Sequence, residues 1–251
     1  MSRYWFPRRK GRILYAGARL PVSYPDIVDD VAPPAGIRIS GRRSGQRFDA
    51  ERGVTTEALL FLGDLDPEAI GPSIAHATHY EPTPVGEVKT LLAYLPFDCA
   101  RATFVDLGSG LGRAVMEAAT LPFRQAVGVE ISPALHAIAR DNFAVLDRSG
   151  LACRDVRLVR SDAALYRFPR GALVVYLYNP FSSEILSRVL ERLLSDSAGD
   201  LAIVYHTPVE RATIEAYPAL ELIAEERCGA VYRRVFDPSD LYATSVRRSV
   251  L

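Results

Sequence analysis

Short apolar runs alternate with amphipathic stretches along the chain from residue 85 onward. Runs rich in Val, Ile, Leu and Tyr predict strands at ATFVDL (102–107), QAVGVE (125–130), VRLVRSD (156–162), ALVVYLY (172–178) and LAIVYHT (201–207). Helical spacing of apolar residues predicts helices at VGEVKTLLAYL (85–95), GRAVMEAATL (112–121), PALHAIARDNFAVL (133–146) and EILSRVLERLLS (184–195). ALELIAEE (219–226) and VYRRVF (231–236) predict an antiparallel edge hairpin. The predicted fold is α/β, with a seven-stranded, mostly parallel, doubly wound sheet.

The first part of the chain lacks this alternation. The prolines at 21, 25, 33 and 34 and the turn-rich ISGRRSGQRF (39–48) predict that residues 1–55 form an irregular extension and that residues 56–251 form the domain. Within that domain, TTEALLFLGDL (55–65) predicts a short helix and GPSIAHATHYEPTP (71–84) predicts a loop.

Charge is balanced overall but uneven along the chain. The 251 residues carry 30 basic and 30 acidic side chains, so the whole molecule offers no electrostatic case for nucleic acid. Eleven of the basic residues and five of the acidic ones lie before residue 53, which makes the extension basic. We expect a solvated tail there; contact with nucleic acid, an acidic partner or a membrane surface is the alternative.

Composition also limits the compartment and the cofactor classes. No run of eighteen apolar residues occurs, and the first twenty residues lack the apolar core of a signal peptide, so we expect a soluble cytoplasmic protein without a membrane partner. Three widely spaced cysteines and four histidines show no metal-ligand spacing, so neither a disulfide framework nor a metal site is predicted.

The segment FVDLGSGLGR (104–113) places a glycine-rich loop directly after the first predicted strand of the sheet. Gly108, Gly110 and Gly112 form GxGxG, in which the third glycine comes one residue earlier than in a dinucleotide-binding GxGxxG. Asp106 precedes the loop, where a negative charge disfavours a pyrophosphate and suits a ligand with a cationic amine or sulfonium. These two features argue against a nicotinamide dehydrogenase.

Two further acids end the next two strands. Glu130 ends the second, where a carboxylate accepts hydrogen bonds from ribose hydroxyls, and Asp162 follows the third, where an acid commonly faces an adenine amino group. Either acid alone is equally explained as a helix cap or a solvated strand end. Together with Asp106 and the glycine loop, they predict a pocket for S-adenosylmethionine.

These residues resemble class I S-adenosylmethionine-dependent methyltransferases. FVDLGSGLGRAVMEAA, GVEISPALHAIARDN and YNPF are similar to a small bacterial group distantly related to the Dot1-like lysine methyltransferases, and RFDAERGVTT and YEPTP extend the similarity to about residue 47. The resemblance implies that Tyr80 and Thr83 close over the methionine end of the cofactor. The cofactor-binding residues that it implies are Tyr80, Thr83, Asp106, Gly108, Ser109, Gly110, Gly112, Glu130, Ile131, Asp162, Ala163 and Asn179.

The motif YNPF ends the fourth strand, where the transferred methyl group would point. Tyr178 begins it, Asn179 would orient an attacking amine, Pro180 would fix the turn, and Phe181 would supply an apolar wall. The alternative is a turn in which Asn179 caps the next helix. His206, which ends the fifth strand, is predicted either to contact the substrate as a base or orienting group or to pack at the strand end.

The acceptor class stays open. The motif lacks the second proline typical of family members that methylate amino groups on nucleic acid, and the second asparagine of Dot1-like enzymes is replaced by Pro180. Transfer to nitrogen, including a protein lysine, is favoured. A small molecule or nucleic acid as N- or O-acceptor, and a protein that binds the cofactor without turnover, are the alternatives.

Overall fold

The computed structural model describes residues 43–58, 60–61 and 79–235, all within the unit Pro33–Leu251. The strands are β1 (Leu60–Phe61), β2 (His79–Tyr80), β3 (Ala102–Leu107), β4 (Gln125–Glu130), β5 (Val156–Arg160), β6 (Ala172–Tyr178), β7 (Leu201–His206), β8 (Leu220–Glu226) and β9 (Gly229–Arg234). The helices are α1 (Arg43–Arg52), α2 (Glu87–Leu92), α3 (Arg113–Ala119), α4 (Pro133–Val145), α5 (Ser183–Asp196) and α6 (Arg211–Glu215), with a 3₁₀ turn at Cys99–Arg101.

The main sheet has seven strands in the order β5-β4-β3-β6-β7-β9-β8. Neighbours from β5 to β7 pair in parallel, whereas β9 pairs antiparallel with both β7 and β8. The predicted fold class is therefore confirmed, and each predicted strand of this sheet appears within a few residues of its expected bounds. The basic stretch before residue 43 and most of the predicted loop 71–84 lie outside the described residues.

Helices cover both faces of the sheet, and alternate strand residues supply the two cores. Phe104 and Tyr176 pack into one core with apolar residues of α2, α3 and α4, while Val105 and Val175 pack into the other with the apolar face of α5. Burial on both faces explains why the central strands are continuously apolar rather than alternating. The helices of the described residues have 5 to 14 residues, and none is long and apolar enough to span a membrane.

The N-terminal part differs from its prediction in two ways. The predicted short helix over 55–65 is wrong where the structure describes it, because the amides of Thr55 and Thr56 bond to the side chains of Asn142 and Asp49 rather than to helical carbonyls. Conversely, Arg43–Arg52 is helical although irregular structure was predicted there; Phe48 is its one large buried side chain, too little to produce a helical pattern. The predicted domain boundary at residue 55 stays a prediction.

The sheet topology places the carboxyl end of β3 at the point where the strand order reverses. The chain crosses from β3 to β4 on one side and later returns to β6 on the other, so β3 lies where the strand order reverses. In open α/β sheets, ligands bind outside the carboxyl ends of the strands at this position. Asp106, Glu130, Tyr178 and His206 are all at or next to the carboxyl ends of neighbouring strands.

Gly229→Ala tests the pairing that holds β7. A Cβ at Gly229 would lie 2.5 Å from the backbone oxygen of Tyr205, which cannot move without disturbing the sheet. We expect the substitution to lower the free energy of unfolding by about 1–3 kcal/mol, measured by urea denaturation. Gly150→Ala is the matched control, since a Cβ there meets nothing within 4 Å. Equal stability of the two variants would contradict the close contact at β9.

Candidate functional site

Asp106 is a buried acid to which no group of the described residues donates a hydrogen bond. It lies on β3 opposite Gly128 of β4 and Tyr176 of β6, and only 3% of it is exposed. Within the described part of the chain, no N–H or O–H group donates to its carboxylate. Burial, and secondly the nearby Glu130, raise the pKa of Asp106 well above its ordinary value. A group that bound here with a positive charge would relieve both effects.

The amides of the glycine loop point into the protein. Gly108 and Ser109 both donate to the carbonyl of Val129, at 2.9 and 3.0 Å, and Gly110 donates to Glu130 Oε2 at 2.8 Å. An anion-binding loop needs free N–H groups aimed at the ligand. Because these three amides are already used, the loop is not arranged to bind a phosphate.

Two predicted site segments meet at this loop. A Cβ on Gly110 would lie 2.2 Å from the ring of Tyr80, and a Cβ on Gly108 would lie 2.8 Å from Cβ of Pro180. Both glycines also have positive φ, 51° and 81°. Glycine is therefore required at both positions, for the backbone conformation and for the close approach of a neighbouring side chain. Tyr80 and Pro180 thus both pack against the glycine loop.

Glu130 supports the loop from β4. The residue is 5% exposed, and Oε2 accepts from Gly110 while Oε1 accepts from the amide of Ser132 at 2.8 Å. Burial raises the pKa of Glu130, and these backbone hydrogen bonds oppose the rise. Each carboxylate oxygen has a second lone pair, so the predicted contact with ribose hydroxyls remains chemically open. Ile131 follows Glu130 and is half-buried.

Asp162 and Ala163 lie just past the end of β5, next to β4. Oδ1 of Asp162 accepts from the amide of Ala164 at 2.8 Å, as in a turn cap, and Ala163 is buried. The residues that follow Asp162 form a turn at 163–165 rather than a helix, so Asp162 is not a helix cap. The adenine contact of both residues stays a prediction.

Asn179 has a left-handed backbone and a fixed side chain. Its φ is 44°, and Oδ1 accepts from the hydroxyl of Tyr205 at 3.3 Å. That hydroxyl accepts in turn from the amide of Glu210 at 3.2 Å, and burial raises the pKa of Tyr205 to about 12. Asn179 Oδ1 therefore bonds to β7, and helix α5 begins after Ser182 without a side-chain cap. Tyr178 and Phe181, on either side of the Asn-Pro turn, are both half-buried.

His206 has partners on both ring nitrogens. Nε2 lies 2.5 Å from Oε2 of Glu87, and Nδ1 lies 3.0 Å from the hydroxyl of Thr207. A neutral ring with its proton on Nε2 satisfies both contacts. The ring also packs edge-on to Tyr178, with centroids 4.2 Å apart, and the residue is 3% exposed. These contacts support the packing of His206 at the strand end. Its partner Glu87 lies in no motif that would have identified it from the sequence.

A buried ion cluster beside the loop was not foreseen. Arg113, the first residue of α3, is 2% exposed and donates from Nη1 to Glu57 at 2.5 Å and from Nε to Thr56 Oγ1 at 2.7 Å. Nη2 also lies 3.5 Å from Asp49 Oδ1 on α1. The sequence signal for this cluster is a charged residue placed between the glycine loop and an apolar helix. A charged residue at such a position is ordinarily exposed to solvent, so the signal does not predict burial.

Tyr80 and Thr83 are both held near β3. The hydroxyl of Tyr80 donates to the carbonyl of Thr56 at 2.8 Å, and burial raises its pKa. Thr83 is buried and shares a hydrogen bond of 2.9 Å with the hydroxyl of Tyr176, which lies opposite Asp106. Tyr80 therefore packs against the glycine loop, and Thr83 lies behind β3 next to Tyr176.

Metal binding is not indicated by the described residues, among which no three His, Cys, Asp or Glu side chains cluster as ligands. His76 lies outside that part of the chain. The absence of a metal stays a prediction.

No protein-family model matches the chain, and no curated protein matches its sequence. Solved structures with a similar fold include an RNA methyltransferase from Salinibacter ruber in complex with S-adenosyl-L-homocysteine (TM-score 0.44, 23% identity, 64% of this chain and 98% of that chain). They also include a putative methyltransferase from Escherichia coli (TM-score 0.49, 21% identity, 62% and 89%) and a ribosomal protein L11 methylase from Lactobacillus delbrueckii subsp. bulgaricus (TM-score 0.45, 17% identity, 62% and 83%).

Asp106→Asn tests the electrostatic state of the site. The raised pKa means that the folded protein holds this proton more tightly than the unfolded chain, whose Asp pKa is about 3.9. Asp106 therefore contributes stability at low pH that is lost as pH rises through its folded pKa. We expect the ligand-free variant to lose less unfolding free energy than wild type between about pH 5 and pH 9 in urea titrations.

Asp147→Asn is the control for that experiment. Asp147 is exposed, and hydrogen bonds from Ser149 lower its pKa, so its contribution does not change across this pH range. The control should keep the wild-type pH dependence. If Asp106→Asn keeps it as well, the carboxylate of Asp106 is not destabilising in the folded protein.

Proposed function

We propose that this protein is an S-adenosylmethionine-dependent methyltransferase that acts on a nitrogen. The observation that carries the proposal is the Asp106 carboxylate, buried and without a donor among the described residues, beside a glycine loop whose amides are turned inward. Such a site suits a ligand that brings its own positive charge and does not need phosphate contacts. S-adenosylmethionine carries an ammonium and a sulfonium and has no phosphate, so the residues fit it.

Each acid at a strand end would bind a different part of the cofactor. Asp106 would accept the ammonium of the methionine part, Glu130 the ribose hydroxyls, and Asp162, with Ala163, the adenine. Tyr80, lying on Gly110, would form the wall at the methionine end, with Thr83 behind it. Support comes from the placement of all these residues along one edge of the sheet, at the reversal point of strand order.

The bound cofactor supplies an electrophilic methyl group, and the chain supplies the position of the acceptor. Asn179 Oδ1, oriented by Tyr205, would accept an N–H of the incoming amine, while Tyr178, Pro180 and Phe181 shape the entry. Positioning of this kind needs no strong base when the amine arrives neutral. A protein lysine is our preferred acceptor class, and a small molecule or nucleic acid is the alternative.

Ligand-dependent stabilisation tests the cofactor. We expect S-adenosylmethionine and S-adenosylhomocysteine to raise Tm by several degrees, since a ligand at 100 times its Kd stabilises by about 2.7 kcal/mol. NAD should leave Tm unchanged, and Asp106→Asn should remove the shift, whereas Asp147→Asn should keep it. A wild-type protein whose Tm responds to neither methionine compound contradicts the proposal.

Asn179→Gly tests the reaction end. Glycine tolerates the φ of 44° and removes only the side-chain amide, so the strain that Ala would introduce is avoided. We expect transfer of labelled methyl from S-adenosylmethionine into a cell lysate to fall by roughly a hundredfold, while stabilisation by S-adenosylhomocysteine persists.

Fractionating that lysate into protein, nucleic acid and metabolites identifies the acceptor class. Label in protein, on lysine, is the expected result. Label in another fraction would select an alternative acceptor. Full transfer by Asn179→Gly would remove Asn179 from the reaction end, and a wild-type protein that binds S-adenosylhomocysteine but labels no fraction would favour a binding protein without turnover.

A further inference from the structure

We propose that Arg113, Asp49 and Thr56 are positioning residues of the methyl-donor site, acting through Tyr80. They hold the segment 54–58 in one conformation, and the carbonyl of Thr56 in that segment holds the ring of Tyr80 on Gly110. This inference rests on the proposed function, because it assigns these residues to the binding of the same cofactor. It places part of the predicted N-terminal extension, helix α1, among the determinants of cofactor affinity.

The centre of the arrangement is the side chain of Thr56, which is fully buried. Its hydroxyl accepts from Arg113 Nε at 2.7 Å and donates to Asp49 Oδ1 at 2.5 Å. Its amide donates to Asp49 Oδ2 at 2.6 Å. One hydroxyl therefore links the cation at the start of α3 to the anion on α1, and both neighbours are charged groups whose hydrogen bonds are stronger than neutral ones.

The residues on either side of Thr56 are fixed as well. The amide of Glu57 donates to Asp49 at 2.7 Å, and the carboxylate of Glu57 accepts from Arg113 at 2.5 Å. Thr55 exchanges two hydrogen bonds with the side-chain amide of Asn142 on α4, at 2.8 and 2.9 Å. The segment thus has no regular secondary structure, and its conformation is determined by side chains of α1, α3 and α4.

Tyr80 connects this segment to the cofactor pocket. Its hydroxyl donates to the carbonyl of Thr56 at 2.8 Å, and its ring occupies the space that a Cβ on Gly110 would need. The hydroxyl end of Tyr80 therefore contacts the segment held by the ion cluster, and its ring contacts the glycine loop. Displacing the Thr56 carbonyl removes the contact that orients the ring against the loop.

A purely structural role for the cluster predicts a different result. In that case, loss of the Thr56 hydroxyl lowers Tm but leaves cofactor affinity unchanged at temperatures where the variant is fully folded. A positioning role weakens affinity under those same conditions, and only while the Tyr80 ring is present.

The experiment compares Thr56→Val with Thr56→Ser. Valine keeps the volume and removes the hydroxyl, whereas serine keeps the hydroxyl and both of its charged partners. Binding of S-adenosylhomocysteine is measured by calorimetry at a temperature where circular dichroism shows each protein fully folded. We expect Thr56→Val to weaken binding about tenfold and Thr56→Ser to stay within about twofold of wild type.

The same pair of substitutions is then made in a Tyr80→Ala background. Since the cluster acts through the ring, Thr56→Val should cause no further loss of affinity there, a non-additive result. Wild-type affinity in Thr56→Val, or an equal loss in both backgrounds, overturns the inference. Failure of the wild-type protein to bind S-adenosylhomocysteine would instead overturn the proposed function, so the two failures are distinguishable.

Discussion

The arrangement of the candidate site depends on a buried guanidinium. Arg113 begins α3 immediately after the glycine loop, and removing it from water is costly unless its donors are used. Glu57, Thr56 and Asp49 use them, across sequence separations of 56, 57 and 64 residues. The requirement to satisfy one buried charge therefore brings distant parts of the chain to a single point beside the loop, and Tyr80 reaches the loop through one of them.

The two acids nearest the loop differ in how their burial is compensated. Glu130 accepts two backbone hydrogen bonds, from Gly110 and Ser132, and so stabilises the loop itself. Asp106 accepts none from the described residues, and burial raises its pKa without such opposition. A fold has no reason of its own to bury a carboxylate in this way, whereas a site for a cationic ligand does. Such a site lowers the stability of the ligand-free protein.

The sequence predicts those parts of the structure that are determined by local hydrophobic patterns, and it does not predict those determined by contacts between distant side chains. The bounds of β3, β4 and β6 were predicted to the residue, because strands buried on both faces must be apolar throughout. Asp106 and Glu130 could be identified as candidate site residues because the strands at whose ends they lie could be predicted. The conformation of segment 54–58 could not be predicted, because it is determined by hydrogen bonds to Asn142 and Asp49 rather than by local propensity. The role of Arg113 could not be predicted either, because arginine at a helix start is normally exposed.

The proposed acceptor side of the site has a different physical support from the Tyr80 side. Asn179 and Thr207 follow the ends of the adjacent strands β6 and β7, and both have left-handed backbones, with φ of 44° and 47°. Such conformations are costly, above all for a β-branched threonine, and persist only where surrounding structure imposes them. Here the sheet imposes them, because β9 pairs with β7 up to His206 and Tyr205 bonds to Asn179. The Tyr80 side of the loop depends instead on the side-chain ion cluster around Arg113, and the two parts meet where Pro180 approaches Gly108.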